Sequence, residues 1–310
     1  MKPIVTLTLN PTIDGAAEAD QVRPIHKVRT TNERYYPGGG GVNVARVIDE
    51  LGGAATAVYL AGGATGALLG ELLAGHGFTP LQIGIRGATR ISHSVFERAT
   101  GLEYRFVPEG PDVSAAEMGA AVAAIAAQDF DWLVASGSLP HGLGPEAYGP
   151  LVRLAAERGA RFALDTSGPA LRATLAAGPV ALIKPSVGEL RHAAGGGRIE
   201  TEAEIAGAAQ ALREAYGIGM VAVTLGQDGA MLVWEGGVLR RRAIEAPVIS
   251  ATGAGDSFLA GMLFALARGR GPVEAFEYGM AAGTAAVITP GTDLCRRADV
   301  ERLAAELAGR

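Results

Sequence analysis

A chain of 310 residues, 48% of them hydrophobic, can bury one large core, and its 45 glycines are spread along it and not gathered into a linker. With 27 basic against 32 acidic residues the net charge is −5, and the longest basic run is Arg240-Arg241-Arg242, which argues against nucleic acid as a partner. A single cysteine, Cys295, excludes an intrachain disulfide, and no apolar run reaches membrane-spanning length without interruption, so a cytoplasmic protein with no membrane partner is expected. The five histidines lack metal-ligand spacing.

Residues 4–9 read as a buried strand that ends in Asn10-Pro11-Thr12-Ile13-Asp14. Loops beyond strand ends are where open α/β sheets hold ligands, so Asp14 is a candidate acceptor for sugar hydroxyls, or else an ordinary loop acid. Residues 15–36 are irregular and polar. They contain Lys27, one of only three lysines, whose plainest reading is an exposed salt-bridge partner. The run Gly38-Gly39-Gly40-Gly41-Val42-Asn43 then leads straight into an amphipathic helix that ends near Gly52. Four glycines carry an entropic cost, so the run suggests exposed amides at a helix start, with Asn43 and Arg46 adding polar side chains for a ligand.

A strand over 56–61 and a helix over 66–77 follow. Residues 81–85, 91–98 and 104–107 then read as strands with no helix between them. Together with 15–36 they predict a small sheet outside the main core, carrying Arg90, Ser92 and Arg105 either as a phosphate-closing flap or as an interface. From 114 onward helices and strands alternate, with strands at 132–136, 161–165, 180–184, 220–225 and 230–233. That rhythm predicts a mostly parallel sheet covered on both faces. The strand ends carry Ser138, Asp165-Thr166-Ser167, Lys184-Pro185-Ser186 and Thr224-Leu225-Gly226, a set of polar rims that fits a ligand crevice. Glu189 reads as a water-mediated magnesium ligand or as a first-turn helix acid.

The stretch Ile249-Ser250-Ala251-Thr252-Gly253-Ala254-Gly255-Asp256 is expected to join an apolar strand to a helix that continues to about 268. Its first amides lack intrahelical partners and sit at the positive end of the helix dipole, so they suit a transferring phosphoryl group. Asp256 then reads as the base for an attacking hydroxyl, or as a helix cap. No Gly-x-x-x-x-Gly-Lys-Ser/Thr loop, complete dinucleotide fingerprint or Gly-x-Ser-x-Gly elbow is present.

The Thr252-Gly-Ala-Gly-Asp256 turn, the four-glycine run with Val-Asn-Val-Ala-Arg46, and Lys184-Pro-x-x-x-Glu-Leu190 together resemble the ribokinase-like sugar kinases, in the phosphofructokinase B branch. The likeness runs nearly end to end. It implies an α/β fold, a three-layer sandwich with a mostly parallel central sheet, in one kinase domain over 1–310. A small β lid over about 15–36 and 81–108 would double as a homodimer clasp. It implies ATP with Mg2+ as donor, Asp256 as base, and Gly253, Ala254 and Gly255 as anion hole. Sugar-phosphate contacts would come from Asp14, Lys27, Gly39, Asn43, Arg90, Ser92 and Ser138, and nucleotide contacts from Lys184, Ser186, Thr224, Gly226 and Gly229. Glu189 would hold Mg2+ through water, and a monovalent cation, K+ among the candidates, would sit near Ser250 and Thr252.

Two positions depart from the family pattern. Ser186 stands where an asparagine is usual in the metal motif, and Gly188 where some relatives have lysine. Glycine at 40 is similar to the minor-type 6-phosphofructokinases, whereas relatives acting on fructose 1-phosphate or tagatose 6-phosphate tend to have lysine there. The resemblance therefore implies fructose 6-phosphate as acceptor, with those two sugar phosphates, or a catalytically weak sugar-phosphate-binding regulator, as alternatives.

Overall fold

Strand β1, Ile4–Thr8, is buried at every residue, the pattern of a strand in the middle of a sheet covered on both faces. The computed structural model describes residues 2–289 and 293–308; elements are numbered along the chain. On one side β1 pairs in parallel with β4 (Ala55–Ala61), and β4 with β5 (Thr79–Gly84). On the other side follow, all parallel, β8 (Trp132–Ser136), β9 (Arg161–Asp165), β10 (Leu182–Ile183) and β11 (Met220–Thr224). The hairpin β12 (Ala230–Trp234) and β13 (Gly237–Arg241) completes the nine-stranded sheet with antiparallel pairing.

Alternate residues of these strands feed two cores. Ile4, Ala57 and Tyr59 face one layer, formed by α1 (Gly40–Glu50), α2 (Gly63–Leu73), α8 (Ala254–Ala267), α9 (Pro272–Val287) and α10 (Arg297–Ala308). Val5, Leu7, Val58 and Leu60 face the other, formed by α3 (Ala115–Ala126), α4 (Gly149–Glu157), α5 (Gly168–Ala177), α6 (Val187–Ala193) and α7 (Glu202–Tyr216). The result is the three-layer sandwich with a mostly parallel sheet that the alternation implied.

A second, four-stranded sheet has the order β3-β2-β6-β7, from β2 (Thr12–Ala19), β3 (Thr30–Gly38), β6 (Arg90–Glu97) and β7 (Leu102–Phe106). β2 grows directly out of the loop after β1, so the small sheet hangs from the rim where the parallel strands end. Glu97 is buried in it at 2% exposure, accepting from the Val22 amide at 2.6 Å and from the Thr100 and Tyr104 hydroxyls, which anchors the loop after β2.

Three local expectations change. The segment read as the first lid strand is β5, an edge of the large sheet, and its half-exposed pattern hid that allegiance. The stretch read as irregular is two strands. A register shift between Ala16 and Glu18 and the largely exposed, charged face of β3 erase the alternation that would have revealed them. No strand precedes the glycine turn: residues 242–250 are irregular, and the Ile249 and Ser250 amides both donate to the Val287 carbonyl, at 2.7 and 3.2 Å. β13, which carries Arg240 and Arg241, was not expected.

Helix α8 is buried continuously from Ser257 to Leu266 and is apolar all round, so its position depends on close contact with α9. Phe258 and Phe276 meet edge to face at 5.8 Å, and the backbones approach at two glycines. A Cβ on Gly261 would lie 2.7 Å from the Ala282 Cβ, and one on Gly279 would lie 2.8 Å from the Phe258 carbonyl oxygen. Gly279→Ala gains helix propensity yet should cost about 1–3 kcal/mol through overpacking. Urea denaturation would show it, and a stabilised variant would mean that the two helices can part without penalty.

Candidate active site

Helix α8 starts at Gly253, whose backbone is left-handed (φ 75°) and whose missing side chain leaves room for Leu294, 2.4 Å from where a Cβ would stand. Among the described residues the amides of Gly253, Gly255 and Asp256 have no hydrogen-bond partner. Gly253 and Asp256 line a cavity of about 440 Å³, together with Thr12, Asp14, Gly39, Gly40, Asn43, Arg90, Ser92, Arg105, Ser136, Ser138, Asp165, Glu189 and Thr252 among others. The cavity lies between the strand ends of the large sheet and the small sheet, where open α/β folds place ligands.

Asp256 is partly exposed at this cavity. Its carboxylate accepts from Asn43 Nδ2 at 2.8 Å. Burial, then the neighbouring Asp165 charge, push its pKa up to about 6, while the Asn43 hydrogen bond and Lys184 pull the other way. A carboxylate titrating near neutral pH is suited to take a proton and to release it.

Lys184 is 7% exposed and pairs with Asp165 at 3.2 Å. Burial disfavours its charge, but attraction from Asp165, Asp256 and Glu189 outweighs burial and holds the ammonium protonated. The Asp165 pKa is raised by its own burial, against the pull of Lys184 and the Ser136 hydroxyl 3.3 Å away. The same ammonium lies 3.2 Å from where a Cβ on Gly255 would sit, so a side chain at 255 would crowd it.

The glycine run does more than uncover amides. A Cβ on Gly40 would lie 2.2 Å from Ser136 Oγ and 2.9 Å from the Ser136 carbonyl carbon, and one on Gly41 would lie 2.5 Å from the Leu7 carbonyl oxygen. The start of α1 is thereby pressed against the ends of β8 and β1. Thr8 Oγ1 accepts the Val42 amide at 2.8 Å, and Gly39 (φ 112°) fits between Thr8 and Pro11.

Asp14 accepts from the Ser92 hydroxyl, which also meets Thr12 Oγ1 at 3.4 Å. Asn10 Nδ2 reaches the Ser138 hydroxyl at 3.3 Å. Arg90 is cross-tied to backbone, donating to the carbonyls of Asn10 at 2.8 Å, Pro108 at 2.9 Å and Pro11 at 3.4 Å; two of its five N–H groups have no partner among the described residues. Lys27 is exposed in the loop between β2 and β3 and is not brought to this cavity. Thr224, Gly226 and Gly229 lie at the end of β11, where Thr224 bridges Ser186 and its amide donates to the Pro185 carbonyl at 3.0 Å. That places them on the same rim but outside the cavity lining.

The first-turn helix-acid reading of Glu189 holds, with one carboxylate oxygen left over. Its Oε2 accepts the Ser186 amide at 2.7 Å and the Ser186 hydroxyl at 2.9 Å in a capping box, while Oε1 has no partner among the described residues and the side chain lines the cavity. No cluster of three His, Cys, Asp or Glu that could cage a metal occurs among the described residues. One available carboxylate oxygen fits an ion carried mainly by phosphates and water, the habit of Mg2+. Ser250 Oγ accepts the Thr252 amide at 3.2 Å, which presents hydroxyl and carbonyl oxygens beside the turn.

Thr12, Ser136, Asp165 and Arg105 join the cavity without having been assigned individual roles from the sequence. Asp165 and Arg105 had been noted only at a strand end and on a flap. The Asp165–Lys184 pairing leaves no mark in sequence, because the two residues stand on different strands.

The match to known proteins agrees with this geometry. The chain belongs to the pfkB family of carbohydrate kinases, whose model matches residues 8–299. It is 41% identical over 308 residues to ATP-dependent 6-phosphofructokinase isozyme 2 of Mycobacterium tuberculosis, covering 98% of this chain and 90% of the relative. It superposes on phosphofructokinase-2 from Escherichia coli in complex with potassium with a TM-score of 0.95 at 36% identity, covering 99% of this chain and all of the other. The E. coli protein with fructose 6-phosphate gives a TM-score of 0.93 at 35% identity, with the same coverage. Its tetrameric inhibited form also matches, with a TM-score of 0.93 at 35% identity, 99% of this chain and 100% of that one. This last structure overturns the homodimer expected from sequence, since a relative this similar assembles as a tetramer. No helix among the described residues is long and apolar enough to cross a membrane.

Lys184→Met should strand the buried Asp165 without its cation and cost about 3–5 kcal/mol. Chemical denaturation at neutral pH would measure it. A cost within experimental error would mean that Asp165 is already protonated.

Proposed function

We propose that the chain is an ATP-dependent 6-phosphofructokinase, transferring the γ-phosphoryl group of ATP to the C1 hydroxyl of fructose 6-phosphate to give fructose 1,6-bisphosphate and ADP. The observation that carries the reading is the Asp256 carboxylate, held by Asn43 at 2.8 Å beside unpartnered amides at the start of a buried helix, in a cavity lined by polar groups suited to a sugar. Two names support the substrate: the M. tuberculosis relative is a 6-phosphofructokinase, and the E. coli structure holds fructose 6-phosphate. No side chain fits at position 40, consistent with the absence of the lysine typical of kinases for other sugar phosphates.

In this mechanism Asp14, Gly39, Asn43, Ser92 and Ser138 hold the sugar. The remaining N–H groups of Arg90, with Lys27 if its loop closes, offer positive charge to the 6-phosphate. Asp256 takes the C1 proton as the O–P bond forms and the bond to the leaving ADP oxygen breaks. The amides of Gly253 and Gly255 meet the charge on the transferring group, at roughly 3 kcal/mol for a well-aimed donor, while that of Ala254, expected to join them, donates to the Ala251 carbonyl at 3.4 Å. Lys184, Ser186, Thr224, Gly226 and Gly229 line the nucleotide side. Glu189 would hold Mg2+ through a water on its available oxygen, and the ion would supply neutralisation of phosphate charge. A potassium ion beside Ser250 and Thr252 belongs to the same reading, supported by the potassium of the E. coli structure. We take the β lid and α/β body to be one kinase domain. A cytoplasmic location is supported by the single thiol, Cys295, which is buried and whose pKa burial pushes up to about 12.

Asp256→Asn should lower kcat by roughly 10²- to 10⁴-fold with fructose 6-phosphate binding retained. Because the base works deprotonated, kcat/KM of the wild type should fall as pH drops through about 6. A flat profile there would remove Asp256 from the role. A coupled ADP-release assay comparing fructose 6-phosphate, fructose 1-phosphate, tagatose 6-phosphate and fructose decides the acceptor. Preference for another sugar phosphate would overturn the substrate, and no ADP release with any would favour a binding protein.

A further inference from the structure

Arg46 follows Asn43 by three residues on α1, so their side chains rise on the same helix face. Arg46 Nη1 donates to Asn43 Oδ1 at 3.2 Å and to the Pro37 carbonyl at 2.9 Å, while Asn43 Nδ2 donates to Asp256 Oδ2 at 2.8 Å. A guanidinium can only donate and an ionised carboxylate can only accept. Between these two neighbours one orientation of the Asn43 amide makes two hydrogen bonds. The flipped one would set its NH2 against a guanidinium and its oxygen against a carboxylate. Without Arg46 the amide would be free to turn, and its donation to Asp256 would no longer be fixed.

We propose that Arg46 is a positioning residue for phosphoryl transfer: it locks the Asn43 amide in the orientation that donates to Asp256, and through Pro37 it ties that lock to the end of β3 in the small sheet. This rests on the reading of Asp256 as the base. It also revises the sequence expectation that Arg46 would meet the ligand as a charge, since Arg46 is not among the residues lining the cavity.

The charges around the pair make the consequence directional. Asp256 faces Asp14 from β2 and Asp165 from the end of β9, both of which disfavour its ionisation, and Lys184 from the end of β10, which favours it. Arg46 faces Asp293, Asp14, Tyr36 and Asp256. Losing the locked donor leaves two acids against one lysine, so the Asp256 carboxylate should hold its proton to higher pH.

The test is a double-mutant cycle read on the acidic limb of kcat/KM, with ATP and fructose 6-phosphate as probes. Arg46→Met should move the limb up by about one pH unit, the size of one weakened charge-assisted hydrogen bond. Asn43→Ala should move it in the same direction, and the double variant should move it no further than Asn43→Ala alone, because Arg46 acts through the amide. Arg46→Lys, which keeps an acceptor-less cation, should return the limb towards the wild-type pH. Shifts that add in the double variant, or an unmoved limb in Arg46→Met, would overturn the proposal. Should Arg46→Met fail to fold, Arg46→Gln takes its place in the cycle with the same expected and overturning results. An active wild type with additive shifts removes only the role of Arg46, whereas a wild type that releases no ADP with any sugar phosphate removes the kinase reading and this role with it.

Discussion

The buried ammonium of Lys184 is the constraint around which the site is assembled. Taking an ammonium and the carboxylate of Asp165 out of water costs about as much as their attraction returns, so the pair adds little net stability while making each partner indispensable to the other. Its value is positional. The ammonium crowds position 255 against any side chain, sits within electrostatic reach of Asp256, Asp165 and Glu189, and stands at the end of β10, between the strand that ends in Asp165 and the one that ends in Thr224. Three acids gathered at one rim would repel one another; one enclosed cation allows them to share it.

Glycines do the corresponding work for the backbone. At Gly40 and Gly41 helix α1 is pressed on the ends of β8 and β1, and at Gly253 and Gly255 the start of α8 is pressed on Leu294 and Lys184. Both helix starts thereby converge on the same cavity, and Asn43 from one meets Asp256 from the other. The entropic cost of ordering these glycines is offset by the buried apolar length of α8 and its packing on α9, remote from the chemistry. A rigid layer therefore supports amides that are left unpaired for a ligand.

The small sheet brings a second set of groups from the opposite side. Asp14 and Ser92 face each other across β2 and β6, and Arg90 is bound to carbonyls on both sides of the junction between the sheets. Arg46, bonded to Pro37 at the end of β3, is the point where that sheet touches the Asn43–Asp256 contact. The small sheet and the Asp256 carboxylate are thus joined by one hydrogen-bonded chain.

The sequence by itself determined the alternation of strands and helices, which is written in the faces of neighbouring residues; β8 and β9 span the same residues, 132–136 and 161–165, that the sequence reading assigned to strands. It also made the local groups legible, because the glycine turn with Asp256 and the four-glycine run with Asn43 each lie within a few residues of chain. Tertiary structure alone decided that β5 belongs to the large sheet, that Lys27 stands away from the cavity, that Asp165 pairs with Lys184, and that Arg46 bonds to Asn43 outside the cavity lining. These depend on which distant segments share a sheet edge or a rim. Periodicity records only which way a side chain faces; what it meets there is set by the packing of the whole chain.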